Sequence, residues 1–118
     1  MSHDRDVELQ DRRGLRYSFN AAAEILLDHA PEPAPARVTE LSFRGCFVET
    51  SAALQQGQPL RIKFSHSGEH FEASAHVLYV RPNGAGLAFT EIPPQFRTVL
   101  QDWILAAMDL ENRSDSNR

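Results

Sequence analysis

Three arginines stand together near the head of this chain, in the run Arg12-Arg13-Gly14-Leu15-Arg16. In an extended segment an even separation turns Arg12 and Arg16 to the same side, so two forked, planar donors can grip one ligand from two positions. Gly14 lets the backbone bend between them. A guanidinium pairs in bidentate fashion with a phosphate or with the O6 and N7 edge of guanine, and it also stacks on a purine face. Read alone, the cluster is equally a solvated charge run at a chain entry. A second constellation, Glu40-Leu41-Ser42-Phe43-Arg44-Gly45, follows after one strand and one loop. Its carboxylate can accept from the N1 and N2 donors of guanine, its serine can cap a turn or touch a phosphate, and its glycine permits positive φ or close backbone approach. By itself it is also consistent with a plain strand and a bulge.

The elements that must position these groups read as short strands. Tyr17, Phe19, Ala21, Ala23, Ile25 and Leu27 recur at every second position, the strand period, although the alanines would also suit a helix. Pro31, Pro33 and Pro35 make residues 30–36 a loop by removing backbone donors and fixing φ. Val38, Leu41, Phe43, Phe47 and Val48, interrupted at Gly45, suggest two strands joined by a tight turn or bulge. Leu60, Ile62 and Phe64 make a half-buried strand, and Ser65 to Gly68 turn it into the next, with Phe71, Ala73, Ala75, Val77 and Tyr79. Gly84-x-Gly86 lacks the third glycine of a dinucleotide fingerprint and reads as a tight hairpin before Leu87 and Phe89. After Pro93 and Pro94 the period changes to three and four, through Phe96, Val99, Leu100, Trp103, Ile104, Ala107 and Met108. That is an amphipathic helix whose Trp103 and Phe96 are core or partner surface. About six strands and one helix imply a curled antiparallel sheet or small barrel with the helix over an open end.

A chain of 118 residues has room for one hydrophobic core, and 42% hydrophobic with 24% charged residues is a globular composition. The formal charge of −4 argues against a general nucleic-acid binder, which needs a basic face to displace counterions. Eleven of the twelve basic residues are arginine and only Lys63 is lysine, so a local anion site can still exist on an acidic protein. Cys46 has no intramolecular partner for a disulfide and, beside Phe47 and Val48, reads as a buried thiol in a reducing cytoplasm. No run reaches the ~20 apolar residues of a membrane span. His66 and His70 bracket a turn, but two histidines fall short of the three or four ligands of a metal site.

Taken together, Arg12-x-x-x-Arg16, Glu40-x-Ser42-x-x-Gly45 and Gly84-x-Gly86-x-x-Phe89 ahead of a terminal helix resemble the PilZ domain family, whose signatures are RxxxR and [DN]xSxxG. The resemblance covers residues 12 to about 106. It implies an all-β fold with one helix, a six-stranded antiparallel barrel with a C-terminal α-helix, and binding of cyclic di-GMP, often as an intercalated pair. By position, Arg12 and Arg16 would meet guanine edges and phosphates, Arg13 would add a phosphate contact or stack, Ser42 and Gly45 would line the second wall, and Glu40 would take the acidic or amide place. Glu40 departs from the signature by one methylene, which moves the carboxylate outward and removes the tight local turn that Asp or Asn favours.

The expectation is therefore a flexible arm at residues 1–11, a folded unit at 12–109 and a disordered tail at 110–118. The function expected is a cytoplasmic bacterial second-messenger receptor that changes conformation on binding cyclic di-GMP and signals to an unidentified protein partner. No catalysis, cofactor, DNA or RNA partner or membrane insertion is expected, and the chain is a monomer or weak homodimer. The alternative is a ligand-independent adaptor of the same fold with a degenerate nucleotide site. A single-strand nucleic-acid barrel would need exposed aromatics on basic strands, for which only Arg61, Lys63 and Phe64 speak. An enzyme would need an acid, base and nucleophile set, and none is visible.

Overall fold

The computed structural model describes residues 15–116. Six strands run in the order β1 (Tyr17–Leu26), β2 (Ala34–Leu41), β3 (Gly45–Glu49), β4 (Pro59–His66), β5 (Glu69–Arg81) and β6 (Gly84–Glu91), followed by α1 (Pro94–Ser116). Every pairing is antiparallel, and the ladder β1-β2-β3-β6-β5-β4 closes on itself because β1 also pairs with β4. Closure removes the unpaired sheet edges that an open sheet of this size would expose.

The two-residue alternation decides what lies inside. Ala21, Ala23 and Ile25 from β1, Leu60, Ile62 and Phe64 from β4, and Phe71, Ala73, Ala75 and Val77 from β5 are all buried. Small inward alanines leave volume for the large rings, as a close-packed interior demands. Between β4 and β5 the His66–Glu69 pair is joined by Ser67 and Gly68, both at positive φ (53° and 80°), which suits the twist of a two-residue hairpin. The helix starts with a proline at its first position, where no N–H is needed. It buries Leu100, Trp103 and Ile104. Trp103 stacks on Phe64 at 5.5 Å and lies 6.1 Å from Phe71, so the helix caps one end of the barrel with aromatic contacts.

Two local expectations are corrected. The proline-rich segment is not loop throughout, because β2 begins at Ala34 and takes in Pro35. Pro35 pairs with Glu24 of β1, and its carbonyl accepts from the Thr50 hydroxyl beyond the last residue of β3, so its nitrogen faces a side with no ladder partner. Gly84 and Gly86 lie within β6 and not in a turn; the hairpin residues are Pro82 and Asn83. Both glycines serve close approach, since a Cβ on Gly84 would come 1.9 Å from the Val48 carbonyl oxygen and one on Gly86 within 2.3 Å of the Tyr79 ring. The helix α1 runs to Ser116. After Pro94 the helix meets neither proline nor glycine, and Leu105 to Leu110 are good helix formers.

Candidate functional site

The β2–β3 turn is built from the second constellation. The Ser42 hydroxyl accepts from the backbone N–H groups of Arg44 and Gly45, both at 3.1 Å, and donates to the Gly45 carbonyl at 3.2 Å. The Ser42 backbone N–H also donates to that carbonyl, at 2.9 Å. The side chain is buried and its hydrogen-bonding capacity is spent on the turn itself. A Cβ on Gly45 would come within 1.9 Å of the Leu87 carbonyl oxygen, so glycine is required for β3 to lie against β6. Ser42 and Gly45 therefore shape the turn and do not face the neighbouring cavity.

Glu40 leaves β2 one step earlier on the outer face. It meets Arg16, which enters just ahead of β1 because Tyr17 pairs with Leu41 and Ser18 with Glu40. One terminal nitrogen of Arg16 lies 3.5 Å from the Glu40 carboxylate, and the same nitrogen donates a short hydrogen bond to the Tyr79 hydroxyl. Partial burial works against the charge of Arg16, but the Tyr79 hydroxyl and the Glu40 carboxylate outweigh it and hold the guanidinium above its usual pKa. The arginine brought to this face thus arrives as a permanent cation. Arg12 and Arg13 lie outside the described residues.

Arg16 and Glu40 share a cavity of about 410 Å³ with Thr39, Phe47, Glu49, Tyr79, Arg81 and Asn83. The Tyr79 ring centroid is 6.3 Å from that of Phe47. The Arg16 guanidinium carbon is 5.4 Å from the Tyr79 centroid and that of Arg81 is 5.0 Å away, both in cation–π range. Cations, an aromatic platform and polar rims are the elements needed to hold an anionic, planar ligand. A larger cavity of about 530 Å³ lies between α1, β1 and the β4–β5 turn, beside Trp103. Its charged walls are Glu69 and Asp102, with no arginine or lysine, so it does not suit an anion.

Of the residues singled out in the sequence, the structure brings together Arg16 and Glu40 and places Ser42 and Gly45 in the turn beneath them. Phe47 and Tyr79 were not singled out for the site, since both continue the apolar alternation of their strands, and the register shift between Val77 and Tyr79 in the β5–β6 pairing interrupts that alternation; Arg81 follows at the strand's end. The one available signal was Gly86, whose missing Cβ makes room for the Tyr79 ring. Cys46 points the other way: it is fully buried, and desolvation pushes its thiol up to about 12 against a small opposing pull from Arg16. It is core, as its neighbours suggested.

The family model described as the PilZ domain matches residues 10–106. Among solved structures, the chain is similar to the Inhibitor of motility (MotI/DgrA) of Bacillus subtilis, with a TM-score of 0.67 and 18% identity over 84% of this chain. The match takes in 51% of that protein, so the chain spans about half its length. It is also similar to the PilZ domain of CeSA from a cellulose-synthesizing bacterium, with a TM-score of 0.61 and 18% identity, covering 82% of this chain and 98% of that one. These likenesses establish the barrel and its helix. No curated protein sequence matches the chain.

Proposed function

We propose, proceeding from the fact that this chain belongs to the PilZ domain family, that it is a non-catalytic receptor for cyclic di-GMP. The observation that carries the reading is the meeting of the two signature segments: Arg16 of the first lies 3.5 Å from Glu40 of the second at the edge of a cavity floored by Tyr79. The ligand would lie on this outer face, with Arg12, Arg13 and Arg16 drawn to phosphates and guanine edges and Glu40 turned to the base donors. Ser42 and Gly45 would act through the shape of their turn.

Magnitudes favour displacement of the contacts now on Arg16. Arg16 and Glu40 are about 30% and 50% exposed, and ion pairs of this kind are worth roughly 0–1 kcal/mol. A charge-assisted bond to phosphate inside a partly enclosed site is worth roughly 1.5–3 kcal/mol, so ligand oxygens would win Arg16 from Glu40. Fixing any segment on a ligand costs conformational entropy, which several such bonds must offset. The rearranged arm would present a new surface to a protein partner in a bacterial cytoplasm.

The second reading is an adaptor that does not need ligand, and a specific observation favours it. Arg16 is engaged by both Tyr79 and Glu40, so the cation already has partners in the absence of ligand. Calorimetric titration with cyclic di-GMP separates the two. The receptor predicts a binding isotherm for the wild type, lost in Arg12→Ala and Arg16→Ala and strengthened in Glu40→Asp. No heat in the wild type and none in Glu40→Asp would leave only the adaptor.

A further inference from the structure

We propose that Arg81, which lies outside both signature segments, is a phosphate-contacting residue of this site and supplies a second fixed cation beside Tyr79. The inference rests on the receptor reading and adds to it a specificity-determining residue. Arg81 ends β5, and its pairing with Gly84 across the Pro82-Asn83 turn fixes its backbone. The side chain is exposed and lies over the Tyr79 ring at 5.0 Å.

Among the described residues no carboxylate forms an ion pair with Arg81, although Glu40 and Glu49 line the same cavity. Arg16 lies over the same ring at 5.4 Å. Two guanidiniums at one cavity repel each other, and an anion bound in that cavity offsets the repulsion with attraction to both. The ring that carries them is held in turn by the strand below, because Gly86 has no Cβ to push it away and Phe47 flanks it. The cationic pair is therefore positioned before any ligand arrives, which reduces the ordering cost of binding. A nucleotide that carries two phosphates suits a site with two cations better than a neutral nucleoside does.

The test is titration of the full chain with cyclic di-GMP at low and high salt, for the wild type, Arg16→Ala, Arg81→Ala, Arg81→Gln and Arg81→Lys. The proposal predicts that Arg81→Ala and Arg81→Gln weaken binding roughly tenfold or more, with a shallower salt dependence than the wild type. Arg81→Lys should recover most of the affinity, since a phosphate accepts an ammonium where a guanine edge demands the fork. Gln keeps the length of the stem if Ala disturbs the turn, and thermal melting checks that each variant is folded. If the wild type binds and Arg16→Ala weakens it while both neutral Arg81 variants bind as the wild type does, Arg81 is no contact and the receptor reading stands. If Lys is as weak as Ala, the phosphate assignment fails. If the wild type does not bind, both readings fall together.

Discussion

Two aromatic clusters in this small barrel are made of similar residues and do opposite work. Inside, Phe64, Phe71 and Trp103 are almost fully buried and touch Phe19 and Phe96 at the seam with α1. Outside, Tyr79 and Phe47 lie on the sheet's outer surface with Arg16 and Arg81 beside them. The interior rings exclude water and hold the helix on the barrel, so their value is set by area and fit. The exterior rings leave room for charge, and their value is set by the cations they hold. Burial separates the two: a ring capped by a helix stabilises the fold, whereas a ring lying on a glycine with its rim open can take part in binding.

The comparison breaks most readily at Phe71. Phe71→Ala should cost about 3–5 kcal/mol in urea unfolding; a loss below about 1 kcal/mol would show that the inner cluster is not the keystone of the barrel. Gly86→Ala comes next. A Cβ within 2.3 Å of the Tyr79 ring forces that ring to move, and we expect a loss of about 1–3 kcal/mol together with a changed near-ultraviolet tyrosine signal. An unchanged signal would mean that Tyr79 does not rest on β6.

Trp103 sharpens the inner side of the contrast. Its indole N–H is buried and finds no acceptor among the described residues. Trp103→Phe thus removes an unsatisfied donor along with apolar area, and its cost should stay below that of Phe71→Ala, at about 1–2 kcal/mol; a larger cost would reveal a partner for the N–H. On the outer side, Tyr79→Phe deletes the hydroxyl that accepts from Arg16 and should cost under about 1 kcal/mol at this partly exposed position. In the receptor reading the same change frees Arg16 and leaves ligand affinity equal to or tighter than the wild type.

The smallest effect concerns pH and lies on the outer side of the β4–β5 pair. Glu72 accepts from His70 and pairs with Arg61, and these contacts hold its carboxyl below the ordinary value of 4.5. A depressed carboxyl contributes stability that is present above that ordinary value and is lost as pH falls toward the folded one. Glu72→Gln should therefore lower stability by a few tenths of a kcal/mol at neutral pH, and the difference should shrink in melts performed below pH ~4. A difference independent of pH would assign the effect to packing.

Much of the architecture was legible in the residues because it rests on short-range rules. The period of two in β4 and β5, the polar turn at Ser67-Gly68 and the shift to a period of three and four after Pro94 each encode local geometry. Pro35 was misread because a proline's tolerance depends on whether its nitrogen faces a partner, and that is settled by where β3 ends.

The candidate site divides along the same line. The chain's own order of residues determined that arginines lead into the first strand, that a serine and glycine set the β2–β3 turn, and that the family is one with a nucleotide-binding signature. Only the closed barrel decided that Arg16 meets Glu40, that Ser42 turns inward to its own turn, and that Tyr79 and Arg81 join them from β5. The reason is physical: a turn is governed by the few residues within it, whereas a binding face is assembled from strands far apart in the chain, whose adjacency exists only once the sheet has closed.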